Sequence, residues 1–129
     1  MGIVLDNAYT HKLLACAYSV HSALGPGLLE SVYEAALVYE LKSQGFEVKQ
    51  QVPVKVTYKK VELDMDLRLD IIVDNSIIIE LVAEIQPVHH KQLLTYMRLT
   101  GIKLGYIINF NVESLRDGIY RVINGYLTP

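Results

Sequence analysis

The sequence predicts an α/β fold, specifically an α+β sandwich in which helices pack on a mixed β-sheet. Apolar residues recur at helical spacing over the first 44 residues, alternate at strand spacing over residues 46–83, and return to helical spacing near residue 88. The hydrophobic share of 51% in a 129-residue chain is sufficient for an apolar core and excludes a disordered chain. At this length one domain covering residues 1–129 is expected.

Three helices are expected, and glycine residues mark their ends. The first carries apolar residues at spacings of three and four and stops at the Gly-Pro-Gly sequence of residues 25–27. The second ends at Gly45, and the third covers residues 88–100 and ends at Gly101. Glycine is common after a helix because it adopts the left-handed conformation without a steric penalty.

Strands are expected between the second and third helices. Residues 52–58 and residues 63–73 alternate apolar and polar side chains, with a turn at residues 59–60 between them. Residues 74–76 form a second turn signal, Asp-Asn-Ser. The next strand, residues 77–83, is apolar on both faces apart from Glu80, which predicts a central position in the sheet.

The end of the chain is less regular. Residues 104–110 read as a short apolar strand. From Glu113 onward a helix and a break are both open, because the sequence Asp117-Gly118 interrupts an otherwise helical pattern. The helical pattern consists of Leu115, Ile119, Val122 and Tyr126. The predicted order is therefore α-α-β-β-β-α-β followed by a tail.

Composition excludes several classes of protein. The single cysteine, Cys16, excludes a disulfide framework and a thiolate metal cluster. A net charge of −2 argues against binding nucleic acid mainly through counterion release, although an acidic metal site beside a local basic patch stays open. No apolar stretch approaches the roughly 18 residues of a membrane span, so we expect a cytoplasmic protein that does not bind membranes. The apolar content is compatible with homo-oligomerisation.

Asp70 and Glu80 are unusual because each lies in a strand that otherwise looks buried. A three-residue loop at residues 74–76 would pair Val73 with Ile77 and Asp70 with Glu80, whereas a two-residue loop would put the two carboxylates on opposite faces. Adjacent carboxylates repel unless a cation lies between them, and oxygen ligands favour Mg²⁺ or Mn²⁺. The alternative is structural, with Asp70 accepting hydrogen bonds near the strand end and Glu80 pairing with Arg68 or a lysine.

Two helices carry further polar candidates. Glu30 lies in the first turn of the second helix, where it could also serve only to cap the helix. His89, Gln92 and Tyr96 share one face of the third helix, which predicts either a polar wall of a site or a solvated surface. The pair His89-His90 is a poor zinc site, because neighbouring helical residues point about 100° apart.

Residues 27–33 read Gly-Leu-Leu-Glu-Ser-Val-Tyr, a GxxExxY motif. Downstream segments occur in a matching order: Gln51 to Val54, Arg68 with Asp70, Ile79-Glu80-Leu81, Gln92 to Tyr96, and Ile108-Asn109-Phe110. Together they resemble the small bacterial and archaeal GxxExxY family of the PD-(D/E)xK nuclease superfamily, in its RecB-like branch. The resemblance implies a restriction-endonuclease-like core and metal-assisted hydrolysis of phosphodiesters, with DNA favoured over RNA as the nucleic acid.

The resemblance also implies roles for single residues. Asp70 and Glu80 match the two metal-binding carboxylates, and Glu30 matches an extra helical glutamate that would join them as a metal ligand. Gln92 and Tyr96 match a Q-x-x-x-Y motif that lines the site. The expected cofactor is Mg²⁺ or Mn²⁺.

One position departs from the family pattern. The family sequence Glu-x-Lys is here Glu80-Leu81-Val82, so a valine stands where a lysine would orient water and offset developing negative charge. Loss of one such electrostatic group typically lowers the rate by about 10²- to 10³-fold. Lys91 could substitute for the lysine only from a neighbouring face of the third helix. The sequence therefore predicts a nuclease-like protein that is weak or inactive.

Two other functions stay open. The chain could be a non-catalytic binding or regulatory module on a nuclease fold, or its polar residues could form only an internal hydrogen-bond network. Lys55, Lys59 and Lys60 form the notable basic cluster, on the first predicted hairpin. A solvated turn explains them, and contact with phosphate is the functional alternative.

Overall fold

A computed structural model describes residues 5–63 and 67–125 of the chain. The elements run in the order α1 (Asn7–Leu24), α2 (Glu30–Ser43), β1 (Val48–Pro53), β2 (Val56–Tyr58), β3 (Val61–Leu63), β4 (Arg68–Val73), β5 (Ile77–Leu81), α3 (Pro87–Thr100), β6 (Leu104–Ile108), a 3₁₀ turn (Leu115–Gly118) and β7 (Ile119–Ile123). This arrangement confirms the predicted α/β class.

Five strands form one mixed sheet in the order β1-β4-β5-β6-β7, and β2 pairs with β3 in a separate hairpin. All neighbours in the five-stranded sheet are antiparallel except β5 and β6, which are parallel and are connected through α3. The strand β5 lies in the centre, as its apolar sequence predicted. A parallel pair needs such a crossover because its two strands begin at the same edge of the sheet.

The sheet separates two apolar clusters. On one face, side chains from α1 and α2 pack on alternate residues of the central strands, including Ile77, Ile79 and Leu81 of β5. On the other face, Leu93 and Met97 of α3 pack with Ile78 and other residues. Glu80 lies between Leu81 and Ile79 in the chain, so strand alternation turns it towards the α3 face.

The turn between β4 and β5 confirms the predicted register. Val73 pairs with Ile77, Ile72 with Ile78, and Ile71 with Ile79, which leaves a three-residue loop. Asp74 in that loop accepts a hydrogen bond from the hydroxyl of Tyr9, which ties α1 to this end of the sheet. The loop therefore aligns Asp70 with Glu80 rather than placing them on opposite faces.

The two strands predicted at residues 52–58 and 63–73 are each divided, and the prediction of single strands was wrong. The first strand begins earlier, at Val48, and stops at Pro53, after which β2 forms the separate hairpin with β3. Residues 48–51 lie within the predicted strand region of residues 46–83 but not in its alternating run, because β1 lies at the edge of the sheet, where polar side chains remain exposed. Met65, part of the second pattern, lies outside the described residues.

From Glu113 onward the sequence allowed either a helix or a break, and the structure shows a break. Residues Leu115–Gly118 form a single 3₁₀ turn, and Ile119–Ile123 form the edge strand β7 rather than a helix. A Cβ atom on Gly118 would lie 2.1 Å from the carbonyl oxygen of Asn109, so the chain can approach this closely only at a glycine. Tyr126, the last position of the helical pattern, lies outside the described residues.

The regular alternation of side chains between the two faces of the sheet is broken in β1 and β4, between the pairs Gln50–Ile71 and Val52–Leu69. On β4, Ile71 packs in the α1–α2 cluster whereas Leu69 packs in the α3 cluster, although residues two apart on a regular strand share a face. On β1, Val48 and Val52 are divided between the same two clusters. Gln51 has a φ of 49°, the left-handed conformation, and this irregularity accompanies the break in alternation.

Candidate active site

Asp70 and Glu80 insert their carboxylates into the backbone ladder between β4 and β5. The backbone N–H of Asp70 donates to Glu80 Oε1 at 3.2 Å, and the backbone N–H of Leu81 donates to Asp70 Oδ2 at 2.9 Å. The regular Cα pairing of these strands stops at Ile71 and Ile79. Side-chain oxygens thus replace backbone carbonyls as acceptors at this end of the sheet, and the two carboxylates are held next to each other.

Burial and the neighbouring Asp70 carboxylate raise the pKa of Glu80 to about 9, from an ordinary value of 4.5. Both effects disfavour a second negative charge, and a side-chain hydrogen bond with Asp70 and the charge of Glu34 act in the same direction. The pair therefore holds a proton at neutral pH when no cation is bound. A bound cation would favour the loss of that proton.

Val82, which stands where the family resemblance implies a lysine, directly follows β5. Its backbone N–H donates to the carbonyl oxygen of Ile108 at 3.1 Å, so the chain remains aligned with β6. Its half-buried side chain packs against the α3-side cluster that contains Ile78, which puts it on the face of Glu80 as predicted. This part of the site is consequently apolar.

Glu30 lines a cavity of about 80 Å³ where α2 begins and the central strands end. Val82 and Phe110 also line the cavity, so Glu30 lies at the same edge of the sheet as the paired carboxylates. No side chain caps α2, whose N-cap residue is Leu29, so the capping role considered for Glu30 is not observed. Within the described residues, its exposed carboxylate accepts no hydrogen bond.

Tyr33, the last residue of the GxxExxY motif, holds the loop that leads into α2. Its hydroxyl donates to the carbonyl oxygen of Gly25 at 2.5 Å and accepts from the backbone N–H of Leu28 at 3.1 Å. Its ring stacks on Phe110 with centroids 4.7 Å apart. The tyrosine therefore connects the Gly-Pro-Gly turn to the end of β6 and sets where Glu30 enters the cavity.

Replacement Tyr33→Phe is expected to lower the free energy of unfolding by about 1–2 kcal/mol, because two hydrogen bonds to backbone groups are lost. Urea denaturation measures this change. Tyr39→Phe is the matched control, since Tyr39 is 71% exposed on the same helix and should tolerate the change. Equal stability of the two variants would contradict the structural role of the Tyr33 hydroxyl.

The polar face predicted on α3 divides into two parts. The side-chain amide of Gln92 donates to the hydroxyl of Tyr96 at 2.9 Å, so these two residues form a hydrogen-bonded pair. His89 instead accepts from the backbone N–H of Gln86 at 3.0 Å through Nδ1 and completes a capping box at the start of α3. The sequence did not indicate this capping role. Lys91, the possible substitute for the lysine, lines a different cavity of about 400 Å³.

Glu34 and Gln51 are polar neighbours of the site that the motifs did not single out. Glu34 accepts hydrogen bonds from the side-chain amides of Gln50 at 2.9 Å and Gln51 at 3.2 Å. The sequence indicated this proximity of Glu34 to the site, because Glu34 lies four residues after Glu30 and residues four apart share a helix face. The left-handed conformation of Gln51 has no sequence signal, since residues other than glycine seldom adopt it.

The donor set is small for a metal site. Among residues 5–63 and 67–125, no three histidine, cysteine, aspartate or glutamate side chains stand close enough together to hold an ion. Asp70 and Glu80 are thus brought together, whereas Glu30 does not complete a group of three with them. Two carboxylates suffice for Mg²⁺ where waters and a substrate phosphate supply the remaining ligands.

A family model for the PD-(D/E)XK nuclease superfamily matches residues 7–122. This chain belongs to the PD-(D/E)XK nuclease superfamily. The matched region includes all of the site residues from Glu30 to Tyr96, together with the sheet that carries them. Comparisons with curated proteins and with solved structures gave no match.

Nucleases of the PD-(D/E)XK superfamily act on nucleic acids and are typically metal-dependent. The described part of the chain has no helix that is both long and apolar enough to cross a membrane. The mixed sheet and the crossover helix α3 are consistent with the core of the PD-(D/E)XK superfamily.

Proposed function

We propose that this protein is a nuclease-like member of the GxxExxY group, with a divalent-metal site whose hydrolytic activity is weak or absent. Asp70 and Glu80 would hold Mg²⁺ or Mn²⁺ at a phosphodiester, with DNA favoured over RNA by the resemblance of the chain to RecB-like nucleases. The observation that carries the proposal is the insertion of the Asp70 and Glu80 carboxylates into the β4–β5 ladder. Glu80 lies two residues before Val82.

The carboxylate pair fits a divalent ion in its charge and its chemistry. Two anionic oxygen groups in contact share a proton at neutral pH, and a hard cation would relieve the same repulsion. When bound, the ion would polarise the phosphate and lower the pKa of a water molecule. Backbone N–H groups already orient both carboxylates, so little rearrangement of β4 and β5 is needed.

The other site residues have supporting roles in this proposal. Glu30 is the third candidate ligand, supported by an exposed carboxylate without a hydrogen-bond partner in the described chain. Gln92 and Tyr96 bind each other and would orient the substrate strand from α3. Val82 supplies neither a proton nor a charge, so the transition state would lack the electrostatic stabilisation that a lysine provides.

A non-catalytic binding module is the second candidate. The packing of Val82 against the α3-side cluster favours it, because a half-buried apolar side chain stands at the expected lysine position. Such a module would retain the carboxylates and bind metal and nucleic acid without turnover. It differs from a weak nuclease in that no hydrolysis would occur.

Asp70→Asn is expected to weaken Mn²⁺ binding, measured by isothermal titration calorimetry, because the substitution removes one of two adjacent anionic ligands. Loss of a residue that only supports a metal ligand typically lowers metal affinity by about 10- to 100-fold. The loss of Asp70, a direct ligand, should lower the Mn²⁺ affinity by more than this. Glu30→Gln tests the third ligand in the same titration, and a weaker affinity would support its assignment.

Glu47→Gln is the control, since Glu47 is exposed just before β1, at the opposite end of that strand from the site. It removes the same formal charge and should leave the affinity unchanged. Mn²⁺ binding that is the same in the natural chain and in Asp70→Asn would contradict the proposed metal site. An absence of Mn²⁺ binding by the natural chain would contradict it equally.

A further inference from the structure

The β2–β3 hairpin forms a basic projection separate from the main sheet. Its strands pair Val56 with Leu63 and Tyr58 with Val61, and the two-residue turn between them is Lys59-Lys60. Both turn residues have positive φ values, 48° and 67°. Asn and Gly are the usual residues in such a turn, because left-handed conformations are unfavourable for other side chains. Two lysines are thus presented at the tip in a conformation that glycine would adopt more easily.

The hairpin follows the β1–β4 pair at the end of these strands that carries Asp70. Its base is the hydrogen bond from the backbone N–H of Val54 to the carbonyl oxygen of Leu67, 2.8 Å long. The adjacent pair of β1 and β4 is Pro53 with Arg68, two positions from Asp70 along β4. Lys59 follows Gln51 by eight residues, and Gln51 lies between the β4 partners Ile71 and Leu69, so at about 3.3 Å per residue the tip lies within about 30 Å of Asp70. A strand bound across the carboxylates could therefore extend to the tip.

The charge of the hairpin is opposite to that of the whole chain. The net charge of the protein is −2, whereas residues 55–63 contain three lysines and one glutamate. The glutamate, Glu62, pairs with Lys55 at 3.8 Å. Within the described ranges, Lys59 and Lys60 form no ion pair. The tip therefore carries two lysine charges that can contact phosphate.

An aromatic ring lies beside the tip lysines. Tyr58 is 60% exposed, and the Nζ atom of Lys59 lies 5.4 Å from the centre of its ring. An exposed tyrosine can stack on an unpaired base, and a neighbouring lysine can contact the phosphate of the same nucleotide. In a duplex the bases are already stacked on each other, so this combination favours a single strand.

We propose that the β2–β3 hairpin binds a single-stranded nucleic-acid segment that leads away from Asp70 and Glu80. Lys59 and Lys60 contact the phosphates, and Tyr58 stacks on a base. This inference rests on the proposed function, since it takes the nucleic acid to lie across the carboxylate pair. It adds a nucleic-acid-binding surface that is separate from the metal site.

The test is the affinity for a short fluorescein-labelled single-stranded DNA, measured by fluorescence anisotropy in EDTA over a series of salt concentrations. Lys59→Gln with Lys60→Gln is expected to lower the affinity about tenfold and to reduce the slope of log K against log salt by about 1.4, because each phosphate contact on a single strand contributes about 0.7. Tyr58→Ala is expected to lower the affinity by about tenfold with the slope unchanged, because stacking is not electrostatic.

Each variant has a matched control. Lys42→Gln with Lys103→Gln makes the same change in net charge at two exposed lysines, one near the end of α2 and one before β6, at the edge of the sheet opposite the carboxylates. Tyr39→Ala removes a tyrosine that is 71% exposed on α2. Both controls should bind the DNA as the natural chain does. Circular dichroism verifies that every variant is folded.

Equal binding by the natural chain and the hairpin variants would overturn the proposal, and so would an equal loss in the matched controls. Failure of the natural chain to bind single-stranded DNA would overturn it as well. None of these outcomes bears on the metal site, which the Mn²⁺ titration of Asp70→Asn tests in the absence of DNA. If the natural chain binds no Mn²⁺ but binds DNA through the hairpin, the proposed metal site is wrong and the DNA-binding hairpin remains.

Discussion

Val82→Lys is expected to raise Mn²⁺-dependent phosphodiester cleavage by about 10²- to 10³-fold over the natural chain, because it adds one electrostatic group to the site. Val82 lies two residues after Glu80 on the same face of the sheet. The aliphatic part of a lysine can pack on the α3-side cluster while its ammonium group reaches the edge of the sheet. The substitution therefore introduces the charge without requiring a new backbone arrangement.

Cleavage of mixed single- and double-stranded substrates in Mn²⁺ measures this effect. Val82→Met is the matched control, since it introduces an unbranched side chain without charge and should leave the rate unchanged. Glu80→Gln combined with Val82→Lys is the blank, because a contaminating nuclease would survive the loss of Glu80. Cleavage in the blank would show that the activity does not come from this site.

Two outcomes would change the interpretation of Val82. If Val82→Lys binds Mn²⁺ and remains inactive, more than the lysine is missing and the binding module is favoured. If the natural chain cleaves as fast as Val82→Lys, another group already supplies the charge. Lys91 would be the next residue to replace, although it lines a separate cavity with Ile107 and Tyr120.

Glu80→Gln is expected to make the free energy of unfolding of the metal-free protein less dependent on pH. The pKa of Glu80 is about 9 in the folded protein, compared with an ordinary value of 4.5. The folded state therefore binds the proton more tightly than the unfolded state does. The resulting stabilisation is fully present below about pH 4.5 and is lost as the pH rises through about 9.

Urea unfolding in EDTA at several pH values between 5 and 9 measures the loss. The free energy of unfolding of the natural chain should fall by a few kcal/mol over this range, because one pKa unit corresponds to about 1.4 kcal/mol. Glu80→Gln carries a neutral amide at every pH, so its stability should change less. Added Mn²⁺ should restore stability to the natural chain at high pH, because the ion binds the charged pair.

Glu47→Gln is the control for the pH series, since its exposed side chain lies just before β1. It should show the same decline as the natural chain. Parallel curves for the natural chain and Glu80→Gln would contradict the raised pKa of Glu80. The Mn²⁺ series is a separate readout, because a shifted pKa without metal binding would leave the carboxylate pair as a structural feature only.

Much of this arrangement could be predicted from local patterns. The central position of β5 followed from its run of apolar residues, and the alignment of Asp70 with Glu80 was predicted for a three-residue loop at residues 74–76, which the observed register confirms. These predictions depended on local chemistry alone: strand alternation and turn geometry. The division of the predicted strand at residues 52–58 could not be found in this way, since the same alternating pattern continues across the break after Pro53.

The sequence by itself determined the α/β class and the apolar residue at position 82, because each depends on residue type and on spacing along the chain. It reduced the placement of Asp70 and Glu80 to two possible loop lengths, and the observed register selects the three-residue loop. Only the tertiary structure decided the rest. The break in alternation at Gln51 depends on a left-handed conformation that its side chain does not favour. The raised pKa of Glu80 depends on burial between β4 and β5. The cavity beside Glu30 depends on where Tyr33 meets Phe110. These features arise from contacts between residues that are distant in the chain, and local sequence patterns do not predict such contacts.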